Sequence, residues 1–289
     1  MRFSIAAAFM ATTVLAAPQA AQLEPGRFSC GTPDPTAEQL AIAQEFLKEE
    51  AYAIANGTLA KRAVTYVDTY FHVVASSTAA SDGYISDSLL TAQFNALNAA
   101  YAPHQIQFVL KGTDKTVNSN WARDGAGYEL TMKKALRKGT YKALNIYFLK
   151  DMGSNLGYCY FPTSVTANSN NFWKDGCTVL HTTVPGGTLT NYNKGHTVTH
   201  EVGHWLGLYH TFQGGCTGAG DSVADTPAQA SASSGCPVGR DSCPSQAGAD
   251  PIRNYMDYSY DTCYDNFTPG QAARINSFWT TYRASCSAC

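Results

Sequence analysis

The residues best suited to chemistry lie in an eleven-residue stretch that reads His-Glu-x-x-His-x-x-Gly-x-x-His. His200 and His204 are four residues apart, so on a helix they share one face and can bind a single zinc ion. Glu201 lies between them and can act as the general base for a water molecule at that metal. Gly207 allows the chain to turn out of the helix, and His210 can then return as the third ligand. The spacing therefore predicts a zinc site with a catalytic base beside it.

Alternating helices and strands are expected to position this motif. Apolar periodicity predicts helices over 36–56, 87–101, 128–138 and 268–282, strands over 63–75, 105–110, 144–149, 156–161 and 178–184, and a zinc helix from about residue 194. Thr268 and Gln271 fit a capping box for the last helix, and Pro269 suits its first turn. Residues 214–250 are dense in Gly, Ser, Pro and Cys, which predicts little regular structure and a need for cross-links or metal.

The first residues predict the compartment. Arg2 precedes the apolar stretch 3–17, and small residues follow, which is typical of a secretory signal peptide over 1–17 with cleavage between residues 17 and 21. We expect 18–62 to be an N-terminal segment that contains part of a propeptide. Residues 63–289 would then be the catalytic domain, with an upper lobe to about 207 and a lower lobe over 208–289.

The composition of the chain argues against two classes of binding partner. The chain has 289 residues, of which 20 are Lys or Arg and 22 are Asp or Glu. This balance gives no case for a nucleic-acid partner, and the scattered cations give none for a membrane partner. The sequence therefore predicts a secreted protein without either partner, and we expect a monomer.

Nine cysteines in a secreted chain predict disulfides, and the odd count leaves at least one unpaired within the chain. Cys159 and Cys177 flank the segment between two predicted strands and could form one bridge. Residues 28–34 look like a cysteine switch, in which the thiolate of Cys30 takes the fourth zinc position. The alternative is a bridge from Cys30 to Cys286 or Cys289. We expect the bridge, because the following helix looks folded and no dibasic site occurs before residues 61–62.

The zinc motif resembles the signature of the metzincin clan of zinc endopeptidases. Residues 254–258 (Asn-Tyr-Met-Asp-Tyr) resemble that clan's Met-turn, with Met256 placed 46 residues after His210. Leu156–Pro162, Asp225-Thr226-Pro227, and 254–259 followed by Cys263 are similar to the pappalysin family, and within it to secreted fungal-type extracellular metalloproteases. The resemblance covers roughly 63–282 and implies an α+β fold. Its twisted five-stranded mixed sheet would carry backing helices above the cleft, and its irregular, disulfide-linked C-terminal lobe would end in a helix.

The resemblance also implies roles for individual residues. Met256 would form an apolar floor beneath the zinc, and Gly207 would give the turn before His210. Tyr258 would stabilise the oxyanion, although a simply packed tyrosine is an equal alternative. Residues 156–162 would bind extended substrate along an upper rim. The implied lower-lobe disulfides are Cys216–Cys243 and Cys236–Cys263, and the implied calcium ligands, with solvated loop acids as the alternative, are Asp221, Asp225, Thr226 and Asp250.

The resulting hypothesis is a secreted zinc endopeptidase that hydrolyses peptide bonds of extracellular proteins. A zinc-stabilised binding or adhesion protein is an alternative, but structural zinc needs no base such as Glu201. A zinc exopeptidase is another, and the third ligand placed after Gly207 argues against it. A basic residue after the cleaved bond is preferred by some pappalysins. Negative charge could come from Asp257, Asp261 or Asp265, but Thr262 stands where basic-selective relatives carry an acid.

Two further predictions concern single residues. Asn56 and Asn266 lie in Asn-x-Thr sequons and are expected glycosylation sites. The histidines that lack ligand spacing are expected to be ordinary structural residues: His72, His104, His181 and His196.

Overall fold

A computed structural model describes residues 29–57, 63–125 and 127–286 of the chain. The predicted signal peptide, the dibasic site at 61–62 and Cys289 lie outside the described residues. In chain order the elements are α1 (Ala37–Ala55), β1 (Thr65–Ala75), α2 (Asp87–Tyr101), β2 (Ile106–Val117), α3 (Glu129–Leu136), β3 (Leu144–Leu149), β4 (Gly157–Cys159), α4 (Asn170–Lys174), β5 (Cys177–Leu180), α5 (His196–Trp205) and α6 (Pro269–Phe278). Three 3₁₀ turns occupy Ala80–Asp82, Ala102–His104 and His181–Thr183, and a π-helical turn over Trp279–Ala284 continues α6.

The five strands form one mixed sheet in the order β2-β1-β3-β5-β4. All neighbouring strands are parallel except β4, which runs antiparallel to β5 at one edge. Strand β3 lies at the centre with all six residues buried, as its continuous apolar sequence requires. The α+β fold with a five-stranded mixed sheet is thus confirmed.

Several boundaries differ from the sequence prediction. Strand β2 continues to Val117, beyond the expected end at Leu110, because it pairs with β1 along its whole length and passes Lys111 at a bulge. Its second half is polar and partly exposed, so local hydrophobicity did not show it. Helix α4 has five residues, too few to give a helical period, and it starts where the Ser169 hydroxyl accepts the Phe172 N–H.

The main core lies between the sheet and helices α2 and α5. Val198 and Val202 of α5 pack there with Phe71 of β1 and Phe148 of β3, and all four are fully buried. A second apolar cluster covers the opposite face, where Met132 of α3 belongs to it. Helix α5 is therefore clamped between the sheet and the rest of the core, which fixes the groups that it carries.

The region Thr211–Phe267 contains no helix or strand among its described residues beyond one isolated bridge between Asn254 and Asn266. The disulfides Cys216–Cys243 and Cys236–Cys263 cross-link it, and Cys159–Cys177 joins β4 to β5. The three expected disulfides are thus present. Helix α6 begins at the predicted capping box of Thr268 and Gln271.

Helix α1 begins with a capping box at Thr36 and Gln39 and packs against α6 at the outer surface of the molecule. The rings of Phe46 and Phe278 meet edge to face with centroids 5.3 Å apart. The hydroxyl of Tyr209 donates to the Gln39 carbonyl at 3.0 Å. Within the described residues, no helix has the length and apolarity needed to cross a bilayer.

Candidate active site

Helix α5 and the turn after it bring the three motif histidines together. The Nε2 atom of His204 lies 3.2 Å from Nε2 of His200 and 3.1 Å from Nε2 of His210. Gly207 makes the return possible because it has φ +96°, and because a Cβ there would lie 2.4 Å from the Phe278 ring. The sequence spacing therefore produces a three-nitrogen cluster.

The hydrogen bonds of the rings determine which nitrogen faces the cluster. Nδ1 of His200 lies 2.7 Å from the Tyr255 carbonyl oxygen, and Nδ1 of His204 lies 2.7 Å from that of Leu208. A carbonyl only accepts, so each Nδ1 carries the proton and each Nε2 presents a lone pair. Burial lowers the pKa of His204 to about 4, and it also lowers the pKa of His200 well below its usual value. Neutral imidazoles with converging lone pairs and no donor between them fit a bound metal cation.

The carboxylate of Glu201 is fully buried beside this cluster. Its Oε2 accepts the Thr32 hydroxyl at 3.1 Å, and its Oε1 has no partner among the described residues. Burial raises the pKa of Glu201 to about 8. A Cβ at Gly157 would lie 2.7 Å from the Glu201 side chain, so only glycine lets strand β4 approach so closely. Neither Thr32 nor Gly157 was singled out from the sequence, because both act through contacts distant along the chain.

The predicted Met-turn lies beneath α5. Met256 is fully buried, and a Cβ at Gly203 would come within 2.4 Å of its sulfur. The side chain of Asn254 accepts the Met256 N–H and exchanges two hydrogen bonds with Gln271 of α6. The turn is therefore held from below, and the Tyr255 carbonyl is placed to accept from His200.

Tyr258 lies at the open side of the histidines. Its hydroxyl oxygen is 3.3 Å from His210 Nε2, and it accepts the Cys30 N–H at 3.3 Å. Burial raises the pKa of Tyr258 above its usual value, so the phenol keeps its proton at neutral pH. The hydroxyl lies close enough to the histidines to donate to a reacting group.

The expected bridge from Cys30 to Cys286 or Cys289 is wrong. Cys30 is a free thiol, whereas Cys286 is disulfide-bonded. The ligand atoms of Cys30 and the three histidines all lie within 4.8 Å of one another, and the Cys30 sulfur is 3.4 Å from Glu201 Oε2. Burial raises the pKa of the Cys30 thiol, and the Glu201 carboxylate raises it further. The placement matches the alternative that the sequence had left open.

Backbone pairing explains this position. The Leu156 N–H donates to the Ser29 carbonyl at 2.8 Å, and the Gly31 N–H donates to the Gly157 carbonyl at 2.8 Å. Cys30 thus forms a parallel bridge with Gly157. The segment Ser29–Thr32 occupies the edge of β4, and this pairing carries the thiol over the histidines.

The acids considered for substrate charge have other partners. Asp265 pairs with Arg253 at the surface, and Asp257 accepts from Gln229 and Ser233. Asp261 accepts the Lys194 N–H at 2.7 Å, and its interaction with the His196 backbone places it at the N-terminus of α5. Gly195, the N-cap residue, has no side chain to do this.

The C-terminal end of α5 is fixed by a buried charged network. Trp205 donates from its indole to Asp175 at 3.2 Å. Asp175 also pairs with Arg137 and Arg283, and the Arg283 guanidinium lies 3.5 Å from the Trp205 ring centroid. The two guanidiniums share the one carboxylate and also donate to backbone carbonyls, among them that of Trp205, so the network fixes the end of the helix.

The proposed calcium ligands are not brought together as one set. Asp225 accepts from Thr268 and the Gly270 N–H at the start of α6. Asp250 pairs with Arg240 and Ser242, while Asp221 accepts the Thr226 hydroxyl at 2.7 Å. Calcium at this place stays a prediction of the resemblance alone.

The remaining predicted residues lie apart from the cluster. His72 bridges Asp114 and Asn145 inside the sheet, and His196 packs on Tyr255. His104 lies near Phe267, and His181 lies in the 3₁₀ turn after β5. Asn56 and Asn266 are exposed, and glycosylation at either stays a prediction.

Comparisons with known proteins agree with this geometry. The sequence model of the Peptidase_M43 family, described as pregnancy-associated plasma protein-A, matches residues 134–280. An extracellular metalloprotease of Podospora anserina is 63% identical over 99% of this chain and 100% of its own length. One from Neurospora crassa is 64% identical over 90% of each chain.

Solved structures of Tannerella forsythia mirolysin are also similar. The mature enzyme in complex with a cleaved peptide matches with a TM-score of 0.64 and 28% identity, covering 75% of this chain and 92% of that one. A promirolysin variant matches with a TM-score of 0.66 and 25% identity, covering 88% of this chain and 94% of that one.

Proposed function

We propose that this chain, which belongs to the pappalysin family, Peptidase_M43, and is an extracellular metalloprotease, is a zinc-dependent endopeptidase that cleaves extended segments of extracellular proteins. One observation carries the proposal. The Cys30 sulfur lies within 4.8 Å of the three histidine nitrogens and 3.4 Å from Glu201 Oε2. A reacting group in the same place would contact both the metal ligands and the proposed base.

The donor set favours zinc over other metals. Three neutral imidazole nitrogens are typical of catalytic zinc sites. In the two histidines of α5, His200 and His204, a backbone carbonyl also fixes Nδ1, as is usual for zinc ligands. When bound by His200, His204 and His210, zinc supplies Lewis-acid polarisation of the scissile carbonyl. Calcium in residues 221–250 remains a further proposal, supported only by the family resemblance.

Glu201 would take the proton from the attacking water at its carboxylate and deliver it to the leaving amine nitrogen. The free edge of β4 would pair with the substrate backbone, as it now pairs with Ser29–Thr32, which makes binding tolerant of side-chain sequence. The Tyr258 hydroxyl would donate to the developing oxyanion. Each step is assigned to a group that already lies at the site.

We further propose that Ser29–Thr32 keep the full-length chain latent. The thiol and the pairing with β4 occupy the position that a substrate requires. The larger share of this chain covered by promirolysin, 88% against 75%, supports a pro-segment in the N-terminal part. Residues 18–62 would contain that segment, and the catalytic domain would follow.

Glu201→Gln tests the mechanism. Peptidase activity of the protein freed of its N-terminal segment should fall at least about a hundredfold, because the substitution removes the general base. Zinc content should stay at one ion per chain. A chelator should abolish wild-type activity, and added zinc should restore it. Cleavage inside a protein with blocked termini separates endopeptidase from exopeptidase action, and a zinc-loaded variant with near-normal activity would refute the role of Glu201.

A further inference from the structure

Helix α1 is joined to the catalytic body by a buried ion pair on the α6 side of the molecule. Nη2 of Arg274 donates to Oε2 of Glu50 at 3.0 Å, and its Nε lies 3.1–3.2 Å from both carboxylate oxygens. The hydroxyl of Ser277 donates to Oε1 at 2.7 Å. Glu50 is 7% exposed and Arg274 is fully buried. Both charges are therefore removed from water and depend on each other.

Glu50 stands out among the contacts of α1. The buried positions of this nineteen-residue helix are Ala43 and Glu50, and its larger apolar side chains, Leu40 and Phe46, are only partly buried. Apolar contacts of this kind are tolerant of small shifts, whereas a bidentate carboxylate–guanidinium pair fixes one orientation. The ion pair therefore sets where α1 is seated.

The consequence of losing Glu50 follows from the other contacts of Arg274. Its Nη2 also donates to the Ser222 carbonyl, and its Nη1 has no partner among the described residues. Without the carboxylate, a buried guanidinium would keep a single backbone acceptor, which is strongly unfavourable. Replacing Glu50 should therefore destabilise the seated helix relative to a state in which α1 has left and Arg274 is hydrated.

We propose that the Glu50–Arg274 pair is the anchor that keeps α1 in place and, through it, holds Ser29–Thr32 across the active site. Only residues 33–35 separate Thr32 from the helix N-cap at Thr36, and two of the three are prolines. Such a short, stiff connection keeps the thiol at high effective concentration while α1 is seated, and releases it when α1 leaves. The inference rests on the proposed latency and adds a second element, distinct from the thiol, that latency requires.

The test compares Glu50→Gln with Glu49→Gln in the secreted full-length protein. Glu49 is the adjacent residue and is exposed, so it controls for the charge change. Glu50→Gln should raise the peptidase activity of uncleaved protein at least tenfold, and Glu49→Gln should change it less than twofold. Cys30→Ala, which removes the thiol itself, is the positive control. Hydrogen exchange of the 37–55 amides should increase in Glu50→Gln alone.

A control shows whether Glu50→Gln impairs folding of the catalytic body. Once the N-terminal segment has been cleaved off and removed, kcat/KM should be equal for Glu50→Gln and wild type, because Glu50 leaves with the segment. Should Glu50→Gln fold poorly, Ser277→Ala, which removes one donor to the same carboxylate, should give a smaller change in the same direction. In a double-mutant cycle of Glu50→Gln, Arg274→Gln and the double variant, activation by the double variant should be smaller than the sum of the two single effects.

The outcomes distinguish the proposals. Equal activity and equal exchange for Glu50→Gln and Glu49→Gln, with activation by Cys30→Ala, would refute the anchor and leave latency standing. No activation by Cys30→Ala, in a protein active after removal of the segment, would refute latency and with it the anchor's role. If even the processed protein cleaves nothing, the proposed function fails, and faster exchange of 37–55 in Glu50→Gln alone still supports the anchor.

Discussion

The two walls of the active site are built in different ways. The β4 side belongs to a five-stranded sheet with a continuous apolar core, and hydrogen bonds between strands hold its backbone. The opposite wall, within Thr211–Phe267, has disulfides and side-chain hydrogen bonds in place of helices and strands. The same kind of perturbation should therefore have different consequences in the two walls. The sheet wall is redundantly supported, whereas the lower wall relies on a few specific links.

The largest effect is expected from Cys236→Ala/Cys263→Ala. By loop entropy alone this change and Cys159→Ala/Cys177→Ala should each lower the free energy of unfolding by about 3 kcal/mol, because the separations are 27 and 18 residues. Metal affinity should differ. Residues 159 and 177 are still held together by the hydrogen bonds between β4 and β5 after their disulfide is removed. Cys263, in contrast, lies in the segment that also positions Met256. Only Cys236→Ala/Cys263→Ala should therefore bind zinc at least tenfold more weakly. Denaturant unfolding and competition with a chromophoric chelator give the two quantities, and equal zinc affinities would remove the proposed contrast.

An intermediate effect is expected from Gly203→Ala, where helix α5 contacts the lower wall at Met256. The new Cβ would meet the Met256 sulfur at 2.4 Å, and overpacking in a filled core costs about 1–3 kcal/mol. Against this stands a gain of roughly 1 kcal/mol in helix propensity. We expect a net loss of up to about 2 kcal/mol by denaturant unfolding, together with weaker zinc binding. The control is Gly112→Ala in β2, where the Cβ would stand 3.6 Å from Tyr70 and should be tolerated; similar losses in both variants would contradict the explanation.

The third effect appears only when pH is varied and concerns the link between Asp261 and α5. Burial raises the pKa of Asp261 to about 7, outweighing its hydrogen bonds to the Lys194 and His196 backbone. Since the folded-state pKa lies above the unfolded one, the stability contributed by proton binding is present below about pH 4 and is lost as pH rises through about 7. Asp261→Asn retains an acceptor, so the variant should lose less stability than wild type between these pH values. Surface Asp265→Asn serves as the control, and parallel stability–pH curves for Asp261→Asn and wild type would rule out this titration.

Features that depend on residues close together in the chain could be predicted from the sequence. The histidine cluster depends on the helical period and one glycine, both local, so its members could be named from the sequence. The central strands are continuous apolar runs, and these too were predictable. Met256 became recognisable through family resemblance, because a single buried methionine carries no local signal.

Other features depended on contacts between distant parts of the chain. The position of Cys30 is set by pairing of Ser29 and Gly31 with Leu156 and Gly157, and nothing near Cys30 in the sequence encodes that partner. Asp261 similarly suggested a charge for substrate, yet the fold places it at the N-terminus of α5. Such roles follow from tertiary placement, which residue type and spacing do not determine.

Because the Tyr255 carbonyl fixes the His200 ring, the order in which the chain is synthesised determines when the metal site can be completed. A ribosome makes His200, Glu201, His204 and His210 well before it makes residue 255, so the ligands exist for a time without the acceptor that orients the first of them. The lower wall that completes the site emerges later still, since its disulfide needs Cys263. A nascent chain therefore carries the metal-binding motif without a finished metal site, and hydrolytic competence arises only after Tyr255 and Cys263 have been translated.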